Sequence, residues 1–126
     1  LNTGGQPISA VDVFSLRYNP NLLQVVDANT GRSGVQITGG SLFAIEAFNL
    51  VDTAAGKIMF AQTAPAGGGS AFNGTGTLAT VRFQVLAAGT AAVTFDFTAG
   101  SLTDCNVTTG TSDLLTSVTN LSLIHI

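Results

Sequence analysis

Apolar and polar side chains alternate along one segment after another of this chain, and apolar spacing of three and four never persists long enough for a helix. A period of two belongs to a backbone whose side chains point to opposite faces at each step, so the pattern predicts an all-β fold. In AVDVFSLRY, Phe14, Leu16 and Tyr18 share one face, and Val13, Ser15 and Arg17 share the other. The first set is predicted to face the core. TLATVRFQVL is the most regular run, with Leu78, Val81, Phe83 and Val85 inward and Arg82 and Gln84 outward. Its change of phase after Leu78 predicts a bulge near Ala79 and Thr80. AIEAFNLV and KIMFAQT flank DTAAG and read as a hairpin with Gly56 in the turn. AAVTFDF is a further strand and LLTSVTN the last, while DANTGRSG, ITGGS, SLTDCNVTTGTSD and the connection APAGGGSAFNGTG, whose glycine triplet marks it as mobile, read as loops. Short strands separated by turn signals predict a two-sheet antiparallel β-sandwich.

One stretch, LRYNPNLLQVV, interrupts what would otherwise be a single long strand. Asn19 can cap a helical turn and Pro20 can take its first position, where the missing N–H costs nothing. Leu22 or Leu23 then plugs the edge of the layer before QVVD resumes as a strand. Tyr18, Pro20 and Leu23 are therefore expected to form a structural corner.

Length allows one domain, taken as residues 1–120, with a core burying about two thirds of the unfolded surface. Charged residues are 9% of the chain, four Lys or Arg against seven Asp or Glu, so no basic face exists to neutralise a run of phosphates, and nucleic acid is not an expected partner. The apolar residues lie in short runs, far from the roughly 20 consecutive ones that span a bilayer, so membrane insertion is not expected. Few lysines beside many Thr, Ser, Gly and Asn resemble the surface of a secreted bacterial module. The chain opens at Leu1 and looks cut from something longer. LSLIHI, at 121–126, follows a segment that reads as a finished strand and is expected to be a non-native tail, a sequencing read-through; the alternative is a genuine edge strand.

Residues able to do chemistry are scarce. The single histidine, His125, lies in that tail, which leaves no base for a triad. Glu46 and Asp52 could be imagined as a glycosidase pair, but two solvated charges are the expected reading. Cys105 has no second thiol for a disulfide or zinc site and is expected to be a small buried thiol. Asp27-Ala28-Asn29-Thr30-Gly31 resembles the start of a calcium loop, yet Arg32 and Thr38 stand where such a loop needs glycine and glutamate, so an Asx turn is expected. Neither catalysis, a metal nor a cofactor is expected. A different feature stands out: Val11 and Val13 point away from the predicted core set, and Met59 and Ala61 could do the same on KIMFAQT. An apolar outer sheet face of this kind marks a protein interface, with Ser15 and Arg17 on its polar rim.

Two motifs together resemble the cohesin family, the modules that hold dockerin-bearing enzymes on extracellular scaffolds. PISAVDVFSLRYNPNLLQVV matches a hydrophobic strand ending in an aromatic, Asp-Pro or Asn-Pro, and a leucine; GTGTLATVRFQVLAAGTAAVTFDF matches a Gly-rich loop feeding a strand of the form G-x-L-A-x-(V/I)-x-F-x-V. The resemblance runs from Pro7 to about Val118. It implies a jelly-roll sandwich with about two further strands before LNTGGQP, and hence a marginal or aggregating isolated fragment. It also implies a non-catalytic, extracellular or cell-surface module of a bacterium or archaeon that docks a dockerin-like protein through the sheet face carrying Val11, Val13, Ser15, Arg17, Met59 and Ala61. The position matching Val11 tends to be polar in the family, so valines there put a standard dockerin contact in doubt. Two other readings stay open: a carbohydrate-binding module, against which stands the absence of tryptophan, and a structural spacer of a surface protein.

Overall fold

The computed structural model describes residues 1–66 and 71–125. The glycine triplet of the APAGGGSAFNGTG connection lies outside the described residues. Among the described residues there is no helix, and every strand pairing is antiparallel. The strands are β1 Ala10–Arg17, β2 Leu23–Val25, β3 Thr38–Gly39, β4 Ile45–Asp52, β5 Lys57–Thr63, β6 Ala79–Thr80, β7 Phe83–Val85, β8 Gly89–Phe95, β9 Asn106–Thr109, β10 Ser112–Asp113 and β11 Leu121–His125.

A seven-stranded sheet runs β10-β9-β1-β5-β4, and β8 and β11 join it through β1. β1 is its axis. One edge pairs with β5, while the other is shared, Ala10 to Asp12 facing β9 and Leu16 and Arg17 facing β8. The remaining strands form two two-stranded sheets, β2-β7 and β3-β6. Leu23 and Val25 from β2 and Ile37 beside β3 pack with Tyr18, Val51, Ile58, Phe60, Ala91 and Val93 of the large sheet and its corner in one buried cluster. A second cluster, Ile8, Val11, Phe43 and Val107, closes one end.

The corner forms as its residue types dictate. The carbonyl of Asn19 accepts the N–H groups of Leu22 at 3.1 Å and Leu23 at 3.0 Å, giving one helical turn. The Asn19 Oδ1 accepts the N–H of Asn21 at 2.9 Å, as a capping side chain does. Leu23 is 3% exposed and is the plug, while Leu22 is half-buried against the same cluster. The Tyr18 ring meets Phe83 edge-on, with centroids 5.4 Å apart. Replacing Leu23 by alanine is expected to cost about 2 to 5 kcal/mol in chemical denaturation; a loss under about 1 kcal/mol would show that this leucine plugs nothing.

Several expectations need correction. Phe14 is 48% exposed, whereas Val11 and Ser15, expected outside, are 4% and 0% exposed, and Val13 is half-buried against the core. The cause is a bulge in β1: Val13 faces Phe60 and Leu16 faces Ile58, so three steps on β1 oppose two on β5. One extra residue inverts the phase of everything before it. Leu16 and Tyr18, beyond the bulge, keep their predicted inward direction. The phase slip in TLATVRFQVL is a break: Ala79 and Thr80 pair with β3, Phe83 to Val85 pair with β2, and Val81 and Arg82 belong to neither strand. Val85, expected inside, is 42% exposed although it pairs with buried Leu23, because β7 ends there and, among the described residues, pairs with β2 alone. ITGGS contains β3, and SLTDCNVTTGTSD contains the hairpin β9–β10, turning at Gly110 with φ of 58°. LLTSVTN is not a strand; Leu114 donates its N–H to Val107, and Asn120 accepts that of Phe95. Leu121–His125 pairs with β8, as an apolar alternating segment does at an open edge whatever its origin.

Candidate protein-docking face

The face that matters is set by β5. Ile58, Phe60 and Gln62 are buried on one side, and Lys57, Met59, Ala61 and Thr63 occupy the other. Residues directly opposite on neighbouring strands share a face, so the outer side is completed by Arg17 opposite Lys57 and Asp12 opposite Ala61 on β1, and by Leu50 opposite Met59, Phe48 opposite Ala61, Ile45 opposite Thr63 and Asp52 opposite Lys57 on β4. β4 also carries a bulge, between Glu46 and Phe48. It brings Ile45 and Phe48, an odd number of residues apart, to the same side. The bulge in β1 does the same for Phe14 and Arg17. Each neighbour of β5 thereby presents an aromatic ring outward.

Phe14, Ile45, Phe48 and Leu50 are 48%, 42%, 47% and 37% exposed, and they share this outer side with Met59 and Ala61. A patch of large apolar side chains standing in water is the surface feature that most often marks an interface. Of the residues expected to form this face, Arg17, Met59 and Ala61 lie on it. Val11 and Ser15 do not, nor does half-buried Val13. Sequence reading missed Phe14, Ile45, Phe48 and Leu50. The alternation of Phe48, Leu50 and Asp52 against Asn49 and Val51 was a usable signal, but it suggests the polar Asn49 as an outward residue. Asn49 is in fact 6% exposed. Its Oδ1 accepts the Ile37 N–H at 2.9 Å and its Nδ2 donates to the Ile37 carbonyl at 2.8 Å, so the side chain closes the strand edge as a backbone partner would.

Charges on the rim are mostly held within the chain. Arg17 lies 3.7 Å from Asp96, and Arg32 lies 3.3 Å from Glu46, whose other oxygen accepts from Asn49. The Lys57 ammonium sits 4.2 Å above the centre of the Phe14 ring, a cation–π contact that covers part of the exposed ring. Asp52 accepts the Ala55 N–H in the hairpin turn. Partial desolvation raises the Asp12 carboxyl above its ordinary value.

The other candidate groups have structural duties. Asp27 Oδ1 accepts the N–H groups of Asn29 and Gln36, both at 3.0 Å, which is an Asx turn and holds its carboxyl below the usual range. Cys105 is buried, with a thiol pushed up by desolvation. Glu46 and Asp52 are each engaged in the local contacts given above, and among the described residues no group of three His, Cys, Asp or Glu side chains is arranged to hold a metal ion. Behind the face lies a cavity of about 550 Å³, lined by Val11, Val13, Leu16, Ile58 and Phe60 from the large sheet and by Leu78 and Val81 from the opposite side.

Comparison with curated proteins and with solved structures returned no match. Comparison with protein-family models matched the cohesin domain over residues 2–119.

Proposed function

This chain belongs to the cohesin family, whose members are non-catalytic modules that bind dockerins, and from that premise we propose that its own dockerin partner seats on the outer face of β1, β5 and β4. The observation that carries the proposal is the concentration of Phe14, Ile45, Phe48 and Leu50, all exposed, on that one face. Arg17, Met59 and Ala61 belong to the proposed contact, with the arginine at the rim. The assembly we envisage is extracellular or at the cell surface, and degrades polysaccharide or decorates the surface of a bacterium or archaeon.

We also propose that the two small sheets belong to the second layer of a jelly-roll sandwich that two strands preceding Leu1 complete. The apolar cavity and the exposed Val85 on β7, which among the described residues pairs with β2 alone, support this, since both offer surface that a further strand would bury.

The experiment for docking is a pull-down with calcium-loaded dockerin modules, using the wild-type protein and Phe48→Asp. Capture by the wild type and loss of about tenfold or more in affinity for the variant is the expected result, because a charge would be buried without a partner. Retention on insoluble polysaccharide without any dockerin capture would instead favour a carbohydrate-binding module, and failure of both would leave a structural spacer.

A further inference from the structure

We propose that Asn73-Gly74 is a self-modifying site, at which the Thr3 hydroxyl relays the proton that lets the Gly74 backbone nitrogen close a ring on the Asn73 side-chain amide. The sequence supplies the reactive pair. Asn73 is the asparagine followed by glycine, the others preceding Thr, Pro, Leu or Val. A residue without a β-carbon lets its nitrogen approach the neighbouring amide closely and takes backbone angles that other residues avoid. Gly74 has φ of 133°.

The fold supplies the rest. The Gly74 N–H donates to Thr3 Oγ1 at 3.0 Å, and the same hydroxyl donates to Asn73 Oδ1 at 3.1 Å. One side chain therefore touches both the nucleophile and the oxygen of the carbonyl it attacks. Each bond has the activating sense: the first draws the proton from the nitrogen, and the second polarises the carbonyl and offsets the charge that grows on Oδ1. Asn73 Nδ2 donates to the Gly5 carbonyl at 3.1 Å, which fixes the amide from its other end. Asn73 is exposed, so water reaches it.

The Gly74 nitrogen bonds to Cγ of Asn73 as its proton passes to the Thr3 hydroxyl, which gives its own proton to Oδ1. The tetrahedral carbon then expels Nδ2 as ammonia, the Oδ1 proton leaving with it, and a cyclic imide remains. Water adds to either imide carbonyl and breaks its bond to nitrogen, giving an aspartyl or an isoaspartyl linkage. The product changes how the chain begins, because the reacting pair also holds residues 1–5. The Thr3 N–H donates to the Gly74 carbonyl at 2.9 Å, and Leu1 and Gly76 exchange bonds of 3.0 and 2.9 Å. Leu1 packs, half-buried, on the second apolar cluster. A carboxylate at 73 cannot donate to the Gly5 carbonyl, and an isoaspartyl linkage lengthens the backbone between 73 and 74, so the segment is released.

The test incubates the full chain at neutral pH and follows the imide, aspartyl and isoaspartyl forms of residue 73 by peptide mapping with mass spectrometry, together with released ammonia. Conversion in the folded protein is expected to run about tenfold faster than in the same chain unfolded in urea, and Thr3→Val to remove that advantage while Thr3→Ser keeps it. The pH profile separates a relay from a purely structural hydroxyl. In the unfolded chain the rate should rise about tenfold per pH unit, as the nitrogen loses its proton to hydroxide, and the folded wild type should depend on pH less steeply. Thr3→Val should restore the steep profile. Hydrogen exchange at the Thr3 and Gly76 N–H groups should quicken as the product accumulates. A folded chain that converts no faster than the unfolded one would overturn the proposal, as would Thr3→Val converting at the wild-type rate or faster, which would make this hydroxyl a guard of the amide.

Discussion

Phe60→Ala is expected to lower the unfolding free energy by about 3 to 5 kcal/mol, the range for truncating a fully buried aromatic ring. Phe60 is 1% exposed and sits at the centre of β5, opposite Val13 on β1 and Asn49 on β4. Its ring belongs to the cluster that joins the large sheet to Leu23, Val25 and Ile37, so the loss is felt where the two sides of the fold meet. Neighbours on β1 and β4 are held in register by the strand ladders and cannot close the space. The measurement is urea denaturation followed by two probes, with equal slopes for both proteins. A change below about 1 kcal/mol would mean that the cluster is loosely packed and that Phe60 is not its centre.

A second large effect is expected from Gly56→Ala, at about 2 to 4 kcal/mol. The reason combines conformation with space. Gly56 has φ of 62°, a left-handed conformation that costs an alanine about 1 to 2 kcal/mol. A β-carbon there would also run into the carbonyl oxygen of Tyr18 and lie 2.8 Å from the Pro20 ring. The Tyr18 N–H donates to the Gly56 carbonyl at 2.9 Å, so relieving the clash breaks a bond that ties the β4–β5 hairpin to the corner. Thermal unfolding of the variant, compared with Ala55→Gly as a control in the same turn, separates this from general loosening. If both changes cost the same, the turn and not the contact with the corner is responsible.

How far the sequence was legible depended on whether a feature is local. The corner Tyr18-Asn19-Pro20-Asn21-Leu22-Leu23 folds from short-range chemistry, a capping amide, a proline at the start of a turn and a leucine next to a strand, and all of it could be read in order. The Gly56 hairpin and the Asx turn at Asp27 are of the same kind. The β9–β10 hairpin was hidden because Asn, Thr, Asp and Gly dominate its sequence, and those residues signal loops unless a neighbouring edge, here that of β1, supplies partners. LLTSVTN erred the other way: its apolar pair packs as a covering segment, with no ladder to join.

The candidate face shows the same division more sharply. An apolar outer surface on the sheet containing KIMFAQT was readable, as were Arg17, Met59 and Ala61 as members of it. Its aromatic members were not.

What the amino-acid order determined alone is the strand-forming period, the turn chemistry, the corner and membership of a family with a docking role. What only the tertiary structure decided is which side of β1 and β4 faces water. A bulge is invisible to alternation because it is defined by two strands together: Val13 and Leu16 lie three apart in sequence, and only the two-step spacing of Phe60 and Ile58 opposite them reveals the extra residue. That single offset turned Phe14 outward and Val11 inward, and so chose the surface a partner meets.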